Sequence, residues 1–245
     1  MIQFYAPDIA TNPVLPESES QHCARVLRMR AGDELIAIDG KGNRYRCRIL
    51  DPHQRHTMVE TLEVIPVKRP WRQGITIAVA PTKNLDRMEW LVEKLTEVGV
   101  DRIIPVLCQR SERRELKIER LQKIAVSAMK QSLKATLPEI LPLTPLAKAV
   151  ESITAPQRLI AYCDPTIPRH DLAEVFRADV DSAMLIGPEG DFTPAEIEAT
   201  IGNGWIPVTL GNVRLRTETA ALDSCIAMHT LHSAAQCCRL TNPKQ

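Results

Sequence analysis

The sequence lacks several features that mark large classes of protein. No apolar run approaches the length that spans a membrane, and the first residues carry no apolar signal core. The seven cysteines include no Cys-x-x-Cys pair, and they never combine with histidine at zinc-ligand spacing. We therefore expect a soluble cytoplasmic protein with reduced thiols and no bound metal.

The familiar nucleotide-binding motifs are also missing. No Gly-x-Gly-x-x-Gly follows an apolar run, which argues against a Rossmann-type dehydrogenase or methyltransferase. The glycine turn at 187–190 continues into Asp191-Phe192, without the lysine of a phosphate-binding P-loop. The carboxylates of Glu189 and Asp191 would repel a polyphosphate, so this turn suits a cationic ligand better.

The chain is long enough for two domains, and its pattern changes near residue 70. Residues 1–70 contain short strands at 34–38, 44–49 and 58–64, with a hairpin turn at 39–43, and a small β-barrel is the simplest closure for them. The proline-containing segment 66–70 marks the boundary. Residues 71–245 form the second predicted domain.

The second part alternates apolar strands with amphipathic helices. Strands are predicted at 75–80, 103–107, 159–162, 183–186 and 206–210. Asn84 is placed to cap a helix that stops at Gly99, and Thr193-Pro194-Ala195-Glu196 has the form of a capping box with proline at the first helical position. This pattern predicts an α/β domain with a mostly parallel sheet covered on both faces.

Two short loops carry the most specific signal. One is Gly187-Pro188-Glu189-Gly190, directly after the strand that ends at Ile186, and the other begins at Leu210-Gly211 and runs through Leu215 to Ala220. Ligands of open α/β sheets collect just outside such strand ends, and glycine lets the backbone approach a ligand closely. Each loop taken alone is equally consistent with an ordinary turn that carries incidental charges.

Together the loops resemble the cofactor-binding loops of the RsmE family of 16S rRNA uracil-N3 methyltransferases, in the SPOUT (trefoil-knotted) superfamily. Further matching segments are 22–28, 32–33, 39–42, Lys83, 87–89, 94–99, 110–111 and 131–132. Two positions depart from the family pattern. Lys134 replaces a usual arginine, which weakens a bidentate phosphate contact, and Asp191 replaces a usual glycine.

The resemblance implies a PUA-like β-barrel that binds RNA over residues 1–70. It implies a SPOUT-type parallel-sheet methyltransferase domain with a C-terminal trefoil knot over 71–245. It also implies a homodimer that transfers a methyl group from S-adenosylmethionine to N3 of a uridine in the 16S rRNA of the small ribosomal subunit. Two alternatives remain open: another knotted methyltransferase that acts on tRNA or a different base, and a non-catalytic RNA-binding assembly factor.

The candidate site residues follow from the same motifs. Catalytic candidates are Arg216, Glu218 and Glu189, with Lys83 as an outside choice and the proton acceptor unassigned. The cofactor-binding candidates are Ile186, Gly187, Pro188, Glu189, Gly190, Leu210, Gly211, Leu215, Arg216, Thr219 and Ala220. The alternative is an ion pair that only holds the loop shape, either between Arg216 and Glu218 or between subunits. Thr217 or Thr219 is expected to cap the last helix.

RNA binding is expected to rest on local basic clusters, because the formal net charge is only +1. The candidate residues are Arg25, Arg28, Lys83, Arg110, Arg113 and Lys134. Aromatic residues make up 4% of the chain, so phosphate contacts and RNA shape should matter more than base stacking. A solvated helix face is the alternative reading of the cluster between 110 and 134.

Overall fold

The computed structural model describes residues 2–69 and 71–241, and the chain divides into two compact units. The first contains residues 2–69 together with Ala125–Leu137, and the second contains Trp71–Ile124 and residues 138–241. The segment 125–137 was not expected in the first unit. It joins that unit because Met129 and Ala135 pack with Ile38, and the N–H of Gly42 donates to the carbonyl oxygen of Ala135 at 2.9 Å.

The first unit is built on one four-stranded sheet in the order β1-β2-β3-β4. Its strands are β1 (Gln3–Tyr5), β2 (Glu34–Ile38), β3 (Asn43–Asp51) and β4 (Met58–Pro66). The predicted hairpin is confirmed: β2, β3 and β4 are antiparallel, whereas β1 pairs with β2 in parallel. An isolated bridge joins Val14 to Met58, and helix α1 (Glu17–Gln21) continues into a π-helical turn, His22–Val26.

The second unit contains, within the described residues, an eight-stranded sheet in which every pairing is parallel. Its strands are β5 (Ile75–Val79), β6 (Arg102–Leu107), β7 (Glu139–Ile140), β8 (Thr144–Pro145), β9 (Gln157–Ala161), β10 (His170–Asp171), β11 (Ser182–Ile186) and β12 (Ile206–Thr209). The order is β10-β12-β9-β11-β5-β6-β7, and β8 pairs with β6. The parallel sheet is confirmed; strands β7, β8 and β10 have two residues each, too few to show a period.

The helices are α2 (Leu85–Val98), α3 (Ile118–Gln131), α4 (Leu146–Ser152), α5 (Leu172–Val175), α6 (Pro194–Gly202) and α7 (Thr217–Thr241). Asn84 caps α2 by accepting from the N–H of Asp86 at 2.9 Å, and Gly99 ends it in the left-handed region with φ 118°. Both features are confirmed, as is the capping box of Thr193 and Glu196. No helix in the described part of the chain is long and apolar enough to cross a membrane.

Helices cover both faces of the parallel sheet. Side chains two residues apart in an extended strand point to the same face. Ala78 of β5 and Ala80, directly after it, therefore pack in one cluster with Val150 of α4 and Ile197 of α6. Helix α7 contacts β5, β11 and α2, and its residues Ala221, Cys225 and Met228 are buried. The strand ends are therefore the part of the sheet that remains open to a ligand.

Candidate functional site

The two glycine loops meet at one edge of the parallel sheet. Strand β9 lies between β11 and β12, and all three run in the same direction, so their carboxyl ends lie side by side. The loops enclose a cleft of about 320 Å³, which we call the first cleft. Nine of the predicted cofactor-binding residues line it: Ile186, Gly187, Pro188, Glu189, Leu210, Gly211, Leu215, Arg216 and Ala220.

A third wall of the first cleft was missed by the sequence analysis. It comes from the end of β9 and the loop after it, and consists of Ala161, Tyr162, Cys163 and Arg169. The apolar strand at 159–162 was predicted, but its place between the two other strands is a property of the sheet order. The remaining lining residues that were not predicted are Asp191, Val208, Thr209, Val213, Arg214 and Thr217.

The glycines of the two loops are required for different reasons. Gly211 has φ 110°, a left-handed conformation that strains other residues, and no atom of the described residues lies within 4 Å of where its Cβ would be. A Cβ on Gly187 would lie 3.0 Å from the ring of Phe192. Gly190 does not line the first cleft, and a Cβ there would meet the side chain of Arg110 at 3.4 Å. The absence of a side chain at Gly190 leaves room for the side chain of Arg110.

Thr219 also lies outside the lining of the first cleft, and its neighbour Thr217 links the two loops. Thr217 is the first residue of α7, and its hydroxyl donates to the carbonyl oxygen of Gly187 at 3.0 Å. This hydrogen bond fastens the start of α7 to the loop after β11. The expected capping role of Thr217 or Thr219 stays a prediction.

Glu218 has a different partner from the one expected. Its carboxylate is buried, and Oε1 lies 3.7 Å from Nε of Arg87, on α2. Within the described residues, Oε2 of Glu218 has no hydrogen-bond partner. Arg216 is exposed and lines the first cleft, and the described part of the chain offers it no ion pair. The Arg216–Glu218 pair is therefore wrong, because Arg216 precedes α7 with an exposed side chain, whereas Glu218, in the first turn of α7, is buried beside Arg87.

Glu189, Arg110 and Arg113 hold the loops around the cleft. Oε1 of Glu189 accepts from the backbone N–H of Lys83 at 2.8 Å, which ties the loop after β11 to the loop after β5. Arg110 donates to the carbonyl oxygens of Gly190 and Phe192 at 3.0 and 3.2 Å. Arg113 donates through Nη2 to the carbonyl oxygen of Lys83 at 2.7 Å. These side chains therefore have structural partners in addition to any role toward a ligand.

Asp191 joins the loop after β11 to the loop after β9. Its backbone is left-handed, with φ 60°, which explains why a glycine-like position tolerates aspartate, one of the residues that adopts this region most readily. Oδ2 accepts from the N–H of Cys163 at 2.8 Å, and Oδ1 accepts from the N–H of Phe192 at 2.8 Å. The carboxylate thus holds the loop after β9, which forms the third wall, in position against the loop after β11.

Tyr162 is the buried aromatic side chain of the third wall. Burial raises the pKa of its phenol, the Arg169 guanidinium opposes that rise, and the carboxylates of Asp164 and Asp191 add to it. The hydroxyl therefore stays protonated at neutral pH, and it donates to the carbonyl oxygen of Pro168 at 3.2 Å. This contact and a bond from Arg169 Nη1 to the carbonyl oxygen of Tyr162, at 2.6 Å, shape the loop after β9.

The predicted RNA-binding residues fall in both units. In the first unit, Arg25 lies in the π-helical turn and Arg28 follows it, and both are exposed. Lys134 follows α3, and its N–H donates to the carbonyl oxygen of Met129 at 3.0 Å. In the second unit, Nζ of Lys83 lies 2.8 Å from the carboxylate of Glu112.

Family models match most of the chain. One described as an RNA methyltransferase domain matches residues 69–229, and one described as an RNA methyltransferase PUA domain matches residues 15–58. The two matches confirm the predicted pairing of a PUA-like domain with a parallel-sheet methyltransferase domain.

Individual relatives extend over nearly the whole chain. The structure is similar to that of a probable rRNA-methyltransferase from Porphyromonas gingivalis, with 44% identity, a TM-score of 0.91, and coverage of 96% of this chain and 100% of that chain. It is also similar to ribosomal RNA small subunit methyltransferase E from Neisseria gonorrhoeae bound to S-adenosyl methionine, with 30% identity, a TM-score of 0.83 and coverage of 94% and 98%. Ribosomal RNA small subunit methyltransferase E from Synechocystis is 28% identical over 217 residues, which cover 86% of this chain and 71% of that protein.

The cleft at the ends of β9, β11 and β12, the two matched domains and these relatives agree, and the chain belongs to the ribosomal RNA small subunit methyltransferase E family of RNA methyltransferases.

Proposed function

We propose that this protein transfers a methyl group from S-adenosylmethionine to N3 of a uridine in the 16S rRNA of the small ribosomal subunit. The observation that carries the proposal is the first cleft, which gathers the loops after β9, β11 and β12 at one sheet edge. Support also comes from the Neisseria gonorrhoeae relative, whose structure contains the cofactor, and from the rRNA substrate in the names of the relatives.

The first cleft fits this cofactor in size and chemistry. Its volume of about 320 Å³ is within the range typical of small-ligand sites. Ile186, Leu210 and Leu215 offer apolar surface for an adenine, and the conformation of Gly211 leaves its backbone open to a ligand. The carboxylates of Glu189 and Asp191 suit a ligand that carries a sulfonium and an ammonium group. We assign adenosine binding to the backbone around Leu210, Gly211 and Leu215.

The cofactor supplies an electrophilic methyl group, and the protein must prepare the uracil. N3 of uracil carries a proton and becomes a good nucleophile only when that proton leaves. Arg216 is exposed at the first cleft without an ion pair among the described residues, so its guanidinium is available to stabilise negative charge on the O2 or O4 atom of the base. Two glutamates act beside it. Glu189 holds the loop after β5 through the N–H of Lys83, and Glu218 holds the side chain of Arg87.

RNA affinity is assigned to basic side chains in both units. We propose that Arg25 and Arg28 bind RNA phosphates through the first unit, with Lys134, and that Lys83, Arg110 and Arg113 contribute in the second. We further propose a cytoplasmic homodimer with a trefoil knot in its C-terminal part. Dimer formation would use the outer side of α7, where Ile226 is exposed.

Mass mapping of methylated nucleotides tests the reaction and its target together. Small-subunit rRNA from a strain that lacks the protein should lack one N3-methyluridine, and the purified protein with S-adenosylmethionine should restore it. A methyl group restored in tRNA or on another base would favour a different knotted methyltransferase. Calorimetric titration that detects no S-adenosylmethionine binding would favour the non-catalytic assembly factor.

A further inference from the structure

A second cleft opens directly beside the first. It encloses about 750 Å³ and lies between the loops after β9, β11 and β12 on the side away from α7, and we call it the second cleft. Seven residues line both clefts: Cys163, Arg169, Asp191, Thr209, Gly211, Val213 and Arg214. A ligand in the second cleft would therefore touch the same loops that border the first.

Three arginines line the second cleft, and two of them are held in place by the backbone. Nη1 of Arg169 donates to the carbonyl oxygen of Tyr162, and its guanidinium carbon lies 5.6 Å from the centre of the Tyr162 ring. Nη1 of Arg110 donates to the carbonyl oxygens of Gly190 and Phe192. The third arginine, Arg214, is exposed. A guanidinium has several N–H donors, so Arg169 keeps donors for a ligand after making this contact.

The carboxylates of the second cleft are occupied by other groups. Asp164 accepts from the N–H and the hydroxyl of Thr166, at 2.9 and 2.6 Å, and Asp191 accepts from two backbone N–H groups. The Thr166 hydrogen bonds lower the pKa of Asp164, and Arg169 and Arg110 lower it further through their charge. Within the described residues, neither carboxylate forms an ion pair with an arginine of this cleft. The arginines therefore keep positive charge available for an anion.

We propose that the second cleft receives the RNA strand directly beside the nucleotide to be methylated, whose base enters the first cleft at Arg216, and that Arg169 and Arg214 bind a phosphate of that strand. The inference rests on the proposed function, which requires one base to leave its stack and reach the methyl donor. A cleft that shares seven residues with the first lies directly beside the methyl donor, so RNA held there has its neighbouring base within reach of the first cleft. Arginine binds phosphate through paired N–H donors, and Pro165, Pro168 and Pro194 give the cleft rigid walls.

Arg214→Gln tests the proposal with the least disturbance, because this side chain is exposed and supports no other loop in the described residues. We expect RNA affinity to fall about tenfold, and the slope of log affinity against log salt to drop by about 0.7 to 0.9, the value for one lost phosphate contact. Arg214 also lines the first cleft, but we assign adenosine binding to backbone groups there, so the affinity for S-adenosylmethionine, measured by calorimetry without RNA, should change little. The RNA probe is small-subunit rRNA from a strain that lacks the protein.

Two further variants complete the test. Arg177→Gln is the matched control, because Arg177 is exposed and its N–H donates to Gln157 at the opposite end of β9, and it should leave the salt slope unchanged. Arg169→Lys keeps the charge but loses the planar fork, so it should raise KM for RNA more than it lowers kcat.

An Arg214→Gln variant whose RNA affinity and salt slope equal those of the control would overturn the inference, as would loss of cofactor affinity in that variant. If the unaltered protein neither binds S-adenosylmethionine nor methylates this RNA, the proposed function itself fails. The two failures are therefore distinguishable.

Discussion

At the scale of single residues, charged side chains in the motifs have structural partners that the motifs did not reveal. Glu189 binds the backbone N–H of Lys83, Arg110 binds the carbonyl oxygens of two residues that follow β11, and Glu218 faces Arg87. Arg216 differs from these residues, because it is exposed at the first cleft and is free of ion pairs within the described part of the chain. It is therefore the strongest catalytic candidate.

Gly211→Ala should weaken S-adenosylmethionine binding by about tenfold or more, because a left-handed backbone costs a residue with a Cβ about 1–3 kcal/mol. Among the residues that the structure describes, no atom would clash with the new Cβ, so the effect isolates backbone strain. Gly202→Ala is the control, since that glycine has open space and a permitted φ, and it should bind the cofactor normally. Calorimetric titration of both folded variants provides the measurement. Equal affinities would remove Gly211 from the cofactor site.

Arg216→Ala should reduce the rate of methyl transfer by about 10²–10³-fold, as loss of one donor to a developing anion typically does. Cofactor affinity should change little, because we assign the adenosine to backbone groups. Arg216→Lys should recover only part of the rate, since a point charge does not reproduce the planar fork. Single-turnover kinetics with saturating cofactor and RNA make the comparison. A normal rate in the alanine variant would mean that Arg216 has a binding or structural role.

At the scale of elements, local polar contacts determine where strands and helices begin and end. The β2–β3 turn is organised by the buried carboxylate of Asp39, which accepts from the N–H groups of Lys41 and Asn43 at 2.7 and 3.1 Å. Its other oxygen accepts from the Asn43 side chain at 2.7 Å and from the Tyr45 hydroxyl at 3.3 Å. Burial alone would raise the pKa of Asp39, but these hydrogen bonds outweigh it and lower the pKa below the ordinary value of an aspartate.

Asp39→Asn should lower the free energy of unfolding of the first unit by about 1–3 kcal/mol at pH 7, because hydrogen bonds to a charged acceptor are lost. A lowered pKa in the folded state means that the carboxylate stabilises the fold above its unfolded-state pKa. That stabilisation disappears as the pH falls through the folded-state pKa. The difference between the two proteins should therefore shrink below about pH 4.

Urea unfolding, followed by hydrogen exchange of amides in β2 and β3, measures this difference at pH 7 and pH 3. Asp51→Asn, at the exposed end of β3, serves as a control and should change stability little at pH 7. A deficit of the Asp39 variant that stays constant from pH 7 to pH 3 would contradict the assigned role of the charge.

At the scale of the whole molecule, two compact units correspond to the two domains of the family, and one stretch of chain departs from a simple division. Ala125–Leu137 lies far along the sequence from residues 2–69 yet packs with them. An ion pair within the first unit adds to that packing, because Nζ of Lys130 lies 2.6 Å from Oε1 of Glu19. The trefoil knot and the dimer stay predictions, and a substitution on the outer side of α7 tests the dimer.

Ile226→Glu should convert the proposed dimer into a monomer, because a charge at the centre of an apolar interface would be buried without a partner. Ile226 is 44% exposed, whereas Leu222, one turn earlier in α7, is partly buried. A change at Ile226 alone therefore separates assembly from folding better than a change at both residues would. Leu50→Glu, at a residue of the first unit that is 54% exposed, is the control and should leave the dimer intact. Sedimentation equilibrium gives the masses, and a stable dimer of the Ile226 variant would refute this interface.

The sequence by itself determined the local structure of this protein. Alternation and helical spacing, with Asn84, Gly99 and the capping box at Thr193, predict elements that the structure contains, because these signals depend on neighbours a few residues away. Only the tertiary structure decided which loops share a cleft and which groups pair. The order of strands places β9 between β11 and β12, and the carboxylate of Glu189 accepts a hydrogen bond from Lys83, 106 residues away in sequence. Such contacts depend on packing between distant segments, and no short stretch of sequence encodes them.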